Sequence, residues 1–308
     1  EALALRNADI AAPILILGYT PPWQMREAVV AGITCTIFDD EAAQALANAA
    51  AATGQTAVVH VKVDTGMARL GLPPAEVAGF LGRLRGLPGL RVEGMFTHFA
   101  TADEEDASFL TVQWSSFNQL VAELERLDLR PEIVHAANSA AALRYPQTRY
   151  DLARVGIALY GLDSSPEAPA PSEIRPVMSF HTEIAQVREV PAGTPISYGG
   201  TFVTERPARI ATIPVGYADG FRRAPQCWRE VLVGGRRAPV VGRVCMDYTM
   251  IDVTDLPNVR RGDAVVLIGR QGQDEISAEE VALWLGTSNY EVVAAILPRV
   301  PRESLEEG

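Results

Sequence analysis

The chain has 308 residues, 48% of them hydrophobic and 21% charged, which suits one large or two ordinary globular domains and excludes wholesale disorder. Its formal net charge of −11 argues against a nucleic-acid-binding face, which needs excess cation, but a few local cations would suffice to hold a small anionic ligand. No apolar run approaches the roughly 20 residues that span a bilayer, and Cys35, Cys227 and Cys245 are too scattered for a disulfide framework, so a reducing, cytoplasmic compartment is expected.

The four histidines (His60, His98, His135, His181) show no metal-ligand spacing, so no metal is expected. The first residue is Glu1 and no signal-peptide pattern follows it. Up to about residue 161 two textures alternate. Strands are expected at Pro13–Gly18, Thr34–Phe38, Ala57–Asp64, Leu90–Phe99, Glu132–Ser139 and Val155–Tyr160, where short runs of β-branched residues recur. Between them Trp23–Ala31, Glu41–Ala52, Pro73–Leu84 and Ala107–Leu127 carry apolar residues three and four apart, the spacing of amphipathic helices.

Such alternation points to βα units and a parallel sheet. Polar groups stand at the ends of nearly every strand: Asp39, Lys62 and Asp64, Thr97 and His98, Asn138 and Ser139. A barrel gathers all strand ends around one mouth, whereas a doubly wound sheet concentrates them at one switch point. The pattern therefore favours a (β/α)8 TIM-type barrel over residues 1–164. Only six strands are readable there, so two βα units are expected to lie before Glu1. After a Pro-rich linker at Ser165–Pro176, strands follow in quick succession at Val177–Val190, Ala208–Val215, Glu230–Val233, Ala238–Val253 and Ala264–Ile268, with one helix near Ser277–Leu285. Residues 165–308 thus read as a mostly antiparallel β domain.

Several segments group chemistry. HVKVDTGMARLG (His60–Gly71) puts Lys62, Asp64 and Arg69 at one strand end, an arrangement that an ion pair on a loop would also explain. His98 ends the next strand and Ser139 the one after, where a helix is expected to follow. RVGIALYG (Arg154–Gly161) reads as a strand. Ser139 and the amides of Gly156 and Ile157 suit a phosphate cradle, although close packing within the barrel is an equal reason for Gly156. In the β domain, Tyr198 and Tyr217 stand beside glycines, and GRVCMDYTMIDV (Gly242–Val253) alternates like a half-buried strand with Met246 as core filler.

Taken in order, HVKVDTGMARLG, FTHFATADE, HAANSAA, RVGIALYGL, ISYGG, VGYADG, GRVCMD and YEVVAAILPRVPR resemble the motifs of the alanine racemase family over essentially the whole chain. The resemblance implies a pyridoxal 5′-phosphate (PLP) enzyme that interconverts L- and D-alanine and supplies D-alanine for bacterial peptidoglycan. It implies a homodimer whose sites are completed by the partner's β domain. Tyr198 matches the family's tyrosine base, and Arg69 and the backbone of Met246 match its substrate-carboxylate contacts. His98, Ser139, Arg154, Gly156 and Ile157 match its cofactor contacts, Arg154 facing the pyridine nitrogen. Lys62 matches a lysine often carbamylated in the family, and Tyr217 matches a residue that lines the entrance there.

Two departures stand out. The family's PLP-binding lysine, on its first strand, has no counterpart here, because Glu1–Gly18 already matches the segment that follows it. The residues present are therefore expected to be inactive by themselves, and a non-catalytic PLP-binding or scaffold protein is one rival reading. The family's tyrosine near the C-terminus is replaced by Pro298, which opens a second rival, a racemase of broader specificity that includes serine.

Overall fold

A computed structural model describes residues 1–305. The chain divides into two compact units, Glu1–Gly156 and a second that begins at Ile157.

The first unit opens with helix α1 (Ala2–Asn7). Strands and helices then alternate: β1 (Leu15–Ile16), α2 (Pro22–Val30), β2 (Thr34–Ile37), α3 (Asp40–Thr53), β3 (Ala57–Lys62), α4 (Pro74–Leu84), β4 (Leu90–Phe96), α5 (Ser108–Arg126), β5 (Ile133–His135) and α6 (Ser139–Arg144). The strands pair in sequence order and all in parallel. Parallel neighbours need a crossover, which the helices supply. α4 shows how the pattern becomes packing: Val77, Phe80, Leu81 and Leu84 lie on one helical stripe, and all four are buried. Asp39 starts α3 by accepting a hydrogen bond from Ala42 N at 2.7 Å, and Gly54 ends it in the left-handed region at φ 66°.

Two irregularities in this unit shape the site. Between β3 and β4 the pairing runs Val59 with Val92 and then His60 with Gly94, so Glu93 is an extra, bulged residue. The expected sixth strand, Val155–Tyr160, is not one. The chain returns along β5 through a single bridge, His135 with Leu152, and Ile157–Tyr160 forms a 3-10 turn. The reason is a diverted donor: Gly156 N–H goes to Ser139 Oγ at 2.9 Å instead of to a ladder partner.

The second unit contains β6 (Phe180–Glu183), β7 (Gln186–Val190), β8 (Pro195–Ile196), β9 (Phe202–Val203), β10 (Ala208–Ile213), β11 (Glu230–Val233), β12 (Arg236–Val241), β13 (Thr249–Asp252), β14 (Ala264–Gln271), β15 (Asp274–Ile276), α7 (Ala278–Leu285) and α8 (Asn289–Ala294). The main sheet runs β15-β14-β11-β12-β13-β10-β7, with β6 also on β14, and every pair is antiparallel. Its core holds Ile184, Val231, Leu232, Ile251 and Val265, with Phe221 stacked on Trp228 at 4.4 Å.

Two expected strands are each split. Val177–Val190 becomes β6 and β7, which pair with β14 and β10 respectively. Ala238–Val253 is interrupted after Gly242, because the carbonyls of Cys245 and Met246 accept from Tyr217 N and Ala218 N, both at 3.1 Å, rather than from a strand. Met246 is consequently exposed rather than core filler. Among the described residues no helix is long and apolar enough to cross a membrane.

Candidate active site

In the first unit the chemistry collects at the C-terminal ends of β3, β4 and β5. Phe96, the last residue of β4, is the platform. Lys62 Nζ lies 5.3 Å and the Arg154 guanidinium 5.1 Å from its ring centroid, and His135 stacks on it at 4.7 Å. Lys62 is 5% exposed and donates from Nζ to Val63 O at 2.8 Å. Arg154 is a hub. It donates to Thr97 O at 2.8 Å, Ala136 O at 2.9 Å, His135 Nδ1 at 2.8 Å and His98 Nδ1 at 3.2 Å. Among the described residues neither cation forms an ion pair with a carboxylate.

The electrostatic consequences follow from that crowding. Burial, then the Arg154 charge, pushes Lys62 down to about 8, with Asp64 pulling the other way. Burial and the nearby Arg69 lower Arg154 to about 10. His98 falls to about 4 through burial and the charges of Arg154, Arg69 and Lys62. On a chain of net charge −11, this is a local, largely enclosed concentration of positive charge.

Arg69 sits in the loop after β3. Asp64 Oδ1 accepts from Gly66 N at 2.9 Å and Ala68 N at 3.2 Å, while Leu72 N returns to Lys62 O at 3.0 Å. Gly71 closes the loop at φ 121°, where a Cβ would lie 2.8 Å from Asp64 N. From α5 the fully buried Gln113 ties two loops together. Its Nε2 donates to His98 O at 3.1 Å and Thr65 Oγ1 at 3.3 Å, and its Oε1 accepts from Ala100 N at 2.9 Å.

Ser139 opens α6 behind its cap, Asn138, whose side chain accepts from Ala141 N at 3.0 Å. Ser139 Oγ meets Gly156 N, so two of the expected phosphate donors are adjacent, and Ile157 follows directly in the chain. Close packing does not explain the glycine: a Cβ at Gly156 would meet no atom within 4 Å. The space beside this pair is open.

The second unit places Tyr198, Tyr217 and Met246 along one rim. Tyr198 opens a 3-10 turn flanked by Ser197 at φ 63° and Gly199 at φ 76°, and its side chain is exposed. Ser197 Oγ donates to Arg243 O at 2.6 Å and lies 3.6 Å from Cys245 Sγ, which anchors the turn beside the Cys245–Met246 loop. The Arg223 guanidinium stands 5.9 Å from the Tyr198 ring centroid. Arg299 bridges Asp219 and Asp247, both at 2.7 Å, and so ties the Tyr217 turn to the same loop.

Phe96, His135, His60 and Gln113 belong to this framework and were not among the expected site residues. His60 was findable, because it stands two residues before Lys62 and so shares its face of β3. Gln113 carries no signal, being one polar residue within an amphipathic helix.

Comparison with known proteins shows the family. Residues 1–164 match the family model for the alanine racemase N-terminal domain, and residues 177–304 match that for the alanine racemase C-terminal domain. Alanine racemase of Desulfovibrio desulfuricans is 48% identical over 306 residues, covering 99% of this chain and 82% of the relative. The crystal structure of alanine racemase from Bacillus anthracis with bound L-Ala-P is 43% identical with a TM-score of 0.90, covering 97% of this chain and 77% of that one. That of Streptomyces lavendulae, a D-cycloserine producer, is 36% identical with a TM-score of 0.93, covering 99% of this chain and 81% of that one. The parallel sheet is accordingly an arc of a TIM-type barrel, followed by an antiparallel β domain. With both family models and full-length relatives in agreement, the chain belongs to the alanine racemase family.

Proposed function

We propose that the intact protein is an isomerase that interconverts L- and D-alanine with PLP. The observation that carries this reading is the carboxylate-free pair of cations, buried Lys62 and half-buried Arg154, beside the open Ser139–Gly156 cradle. These residues fit a ligand that is aromatic, carries a phosphate and presents a ring nitrogen to Arg154. When bound, PLP withdraws electrons from the amino acid's α-carbon and makes the α-proton removable.

The chain's own residues do the rest. Ser139 Oγ and the Ile157 amide would hold the phosphate, joined by the Gly156 amide once it leaves Ser139 Oγ. Arg154, which only donates, would face the ring nitrogen and disfavour its protonation. Arg69 and the Met246 backbone hold the substrate carboxylate, Lys62 orients Arg69 once carbamylated, and Tyr217 lines the approach. Tyr198 moves the proton on one face of the α-carbon, supplied from the partner subunit's β domain in a homodimer. His98, with its Nδ1 taken by Arg154, has its proton on Nε2 for tuning that phenol. The division of labour falls between residues 1–164, which hold the cofactor, and 165–308, which bring the tyrosine. Lys62, the one lysine among these residues, serves Arg69, so none of them is assigned as the base on the opposite face, and by themselves they are proposed to be inactive. A cytoplasmic setting with a role in peptidoglycan supply completes the reading.

The test is to express the intact protein with PLP and follow loss of optical rotation from L-alanine. A folded, PLP-binding protein that leaves the rotation constant overturns it. Pro298 supports a second reading, a wider substrate range, because it removes a ring that would narrow the entrance. Comparing kcat/KM for alanine and serine separates the two.

A further inference from the structure

Beneath Arg154 lies a line of buried polar groups that the proposed reaction leaves unused. His135 Nε2 is 2.8 Å from His60 Nδ1, and His60 Nε2 is 3.4 Å from Glu93 Oε2. His135 is 0% and His60 3% exposed. We propose that Glu93, His60 and His135 form a directed hydrogen-bond relay that positions Arg154, with Glu93 and His60 as positioning residues remote from the reacting atoms. The proposal deepens the racemase reading and rests on it for its kinetic arm alone.

Direction follows from what each group can donate. A guanidinium only donates, so His135 Nδ1 accepts from Arg154 and its proton sits on Nε2. That proton points at His60 Nδ1, which must therefore accept, leaving the His60 proton on Nε2. This last donor needs an acceptor, and Glu93 provides it. The carboxylate's other oxygen accepts from Arg91 at 2.8 Å, which fixes its orientation. Without Glu93 the His60 proton is free to move to Nδ1. It would then confront the His135 Nε2–H, and the conflict would pass up the line to Arg154, since two buried donors face to face cost far more than one hydrogen bond gains.

The backbone is shaped for this line. The bulge that makes Glu93 the extra residue of β4 brings its carboxylate to the His60 ring. The next residue must be glycine, because a Cβ at Gly94 would overlap the His60 ring. His135 is held flat by stacking on Phe96 with an interplanar angle of 9°. Burial also keeps both imidazoles neutral, as the relay requires. His135 is pushed down to about 2, and His60 is lowered by burial although Glu93 pulls it upward.

The experiment is long-range 1H–15N NMR on the intact protein with 15N-labelled histidine, near neutral pH, with and without PLP. Both His60 and His135 are expected as neutral Nε2–H tautomers. Glu93→Leu should give mixed tautomers at both rings and lower kcat for alanine by up to about a hundredfold, with KM little changed. Glu93→Gln, whose amide oxygen still accepts, should restore the tautomers and most of kcat. Should the leucine variant not fold, the tautomers of the unaltered protein carry the test by themselves. An Nδ1–H tautomer on either ring of the unaltered protein overturns the relay, as do unchanged tautomers and kcat in Glu93→Leu. Expected tautomers in a protein that does not racemise alanine would sink the racemase reading and leave the relay standing.

Discussion

Lys62→Met should stabilise the PLP-free protein, relative to a parent whose Lys62 is uncarbamylated, at neutral pH, although it deletes the chain's one lysine from the centre of the candidate site. The ammonium is 5% exposed, and burial followed by the Arg154 charge brings it from 10.5 to about 8. At roughly 1.4 kcal/mol per pH unit, holding it charged costs the folded state about 3 kcal/mol. Methionine of similar shape avoids that cost and forfeits one bond to Val63 O, about 1 kcal/mol. The net expected gain is about 2 kcal/mol near pH 7. The sign changes the picture with pH. Between about 8 and 10.5 the unfolded chain keeps a proton that the folded chain releases, so the parent's stability rises with pH across that window. The variant's advantage is therefore full below about 8 and gives way to a deficit of up to about 1 kcal/mol, the lost bond to Val63 O, as pH approaches 10.5. Urea unfolding of both proteins at several pH values reads the gap, and 13C NMR of labelled lysine reads the titration directly. A variant less stable than its parent at neutral pH, or a gap that does not close as pH rises, would refute the reasoning.

Tyr198→Phe in the intact protein should lose mainly the direction that starts from L-alanine, with the bound-PLP spectrum unchanged. Deuterium washout from each enantiomer measures this, and equal loss in both contradicts a one-face role. Gly156→Ala should leave stability within about 0.5 kcal/mol, because the added Cβ meets no atom within 4 Å, yet weaken PLP binding about tenfold or more by filling the cradle. Thermal denaturation and cofactor absorbance read the two effects separately, and unchanged PLP affinity would remove Gly156 from the site. Gly71→Ala, at φ 121° and against Asp64 N, should cost about 1–3 kcal/mol by thermal unfolding and disturb Arg69. An unaffected melting temperature would contradict the close approach.

Where local pattern and tertiary demand agree, the elements are legible in the sequence. α4 and β3 sit within two residues of their expected bounds, and Ser277 caps α7 by accepting from Glu280 N at 3.1 Å, as its spacing implies. Lys62, His98 and Ser139 stand at or just after the ends of β3, β4 and β5, and Arg154, on the irregular segment that returns along β5, meets Lys62 over Phe96 and hydrogen-bonds His98. Legibility fails where a backbone donor or acceptor finds a partner that sequence distance hides. Val155–Tyr160 has strand composition, but Gly156 N–H is spent on Ser139, seventeen residues earlier. Residues 242–248 alternate like a strand, yet their carbonyls serve the Tyr217 turn. The His60–His135 contact joins residues 75 apart and depends on a bulge, which no local period encodes.

The central proposal, that Tyr198 moves the α-proton of alanine on one face while a second base serves the other, has a direct test. L-alanine is incubated in D2O with the intact, PLP-loaded protein, and both enantiomers are recovered for mass analysis. The D-alanine formed is expected to carry deuterium at Cα from its first appearance. A folded, PLP-binding protein that leaves the α-proton in place in both enantiomers would contradict the claim.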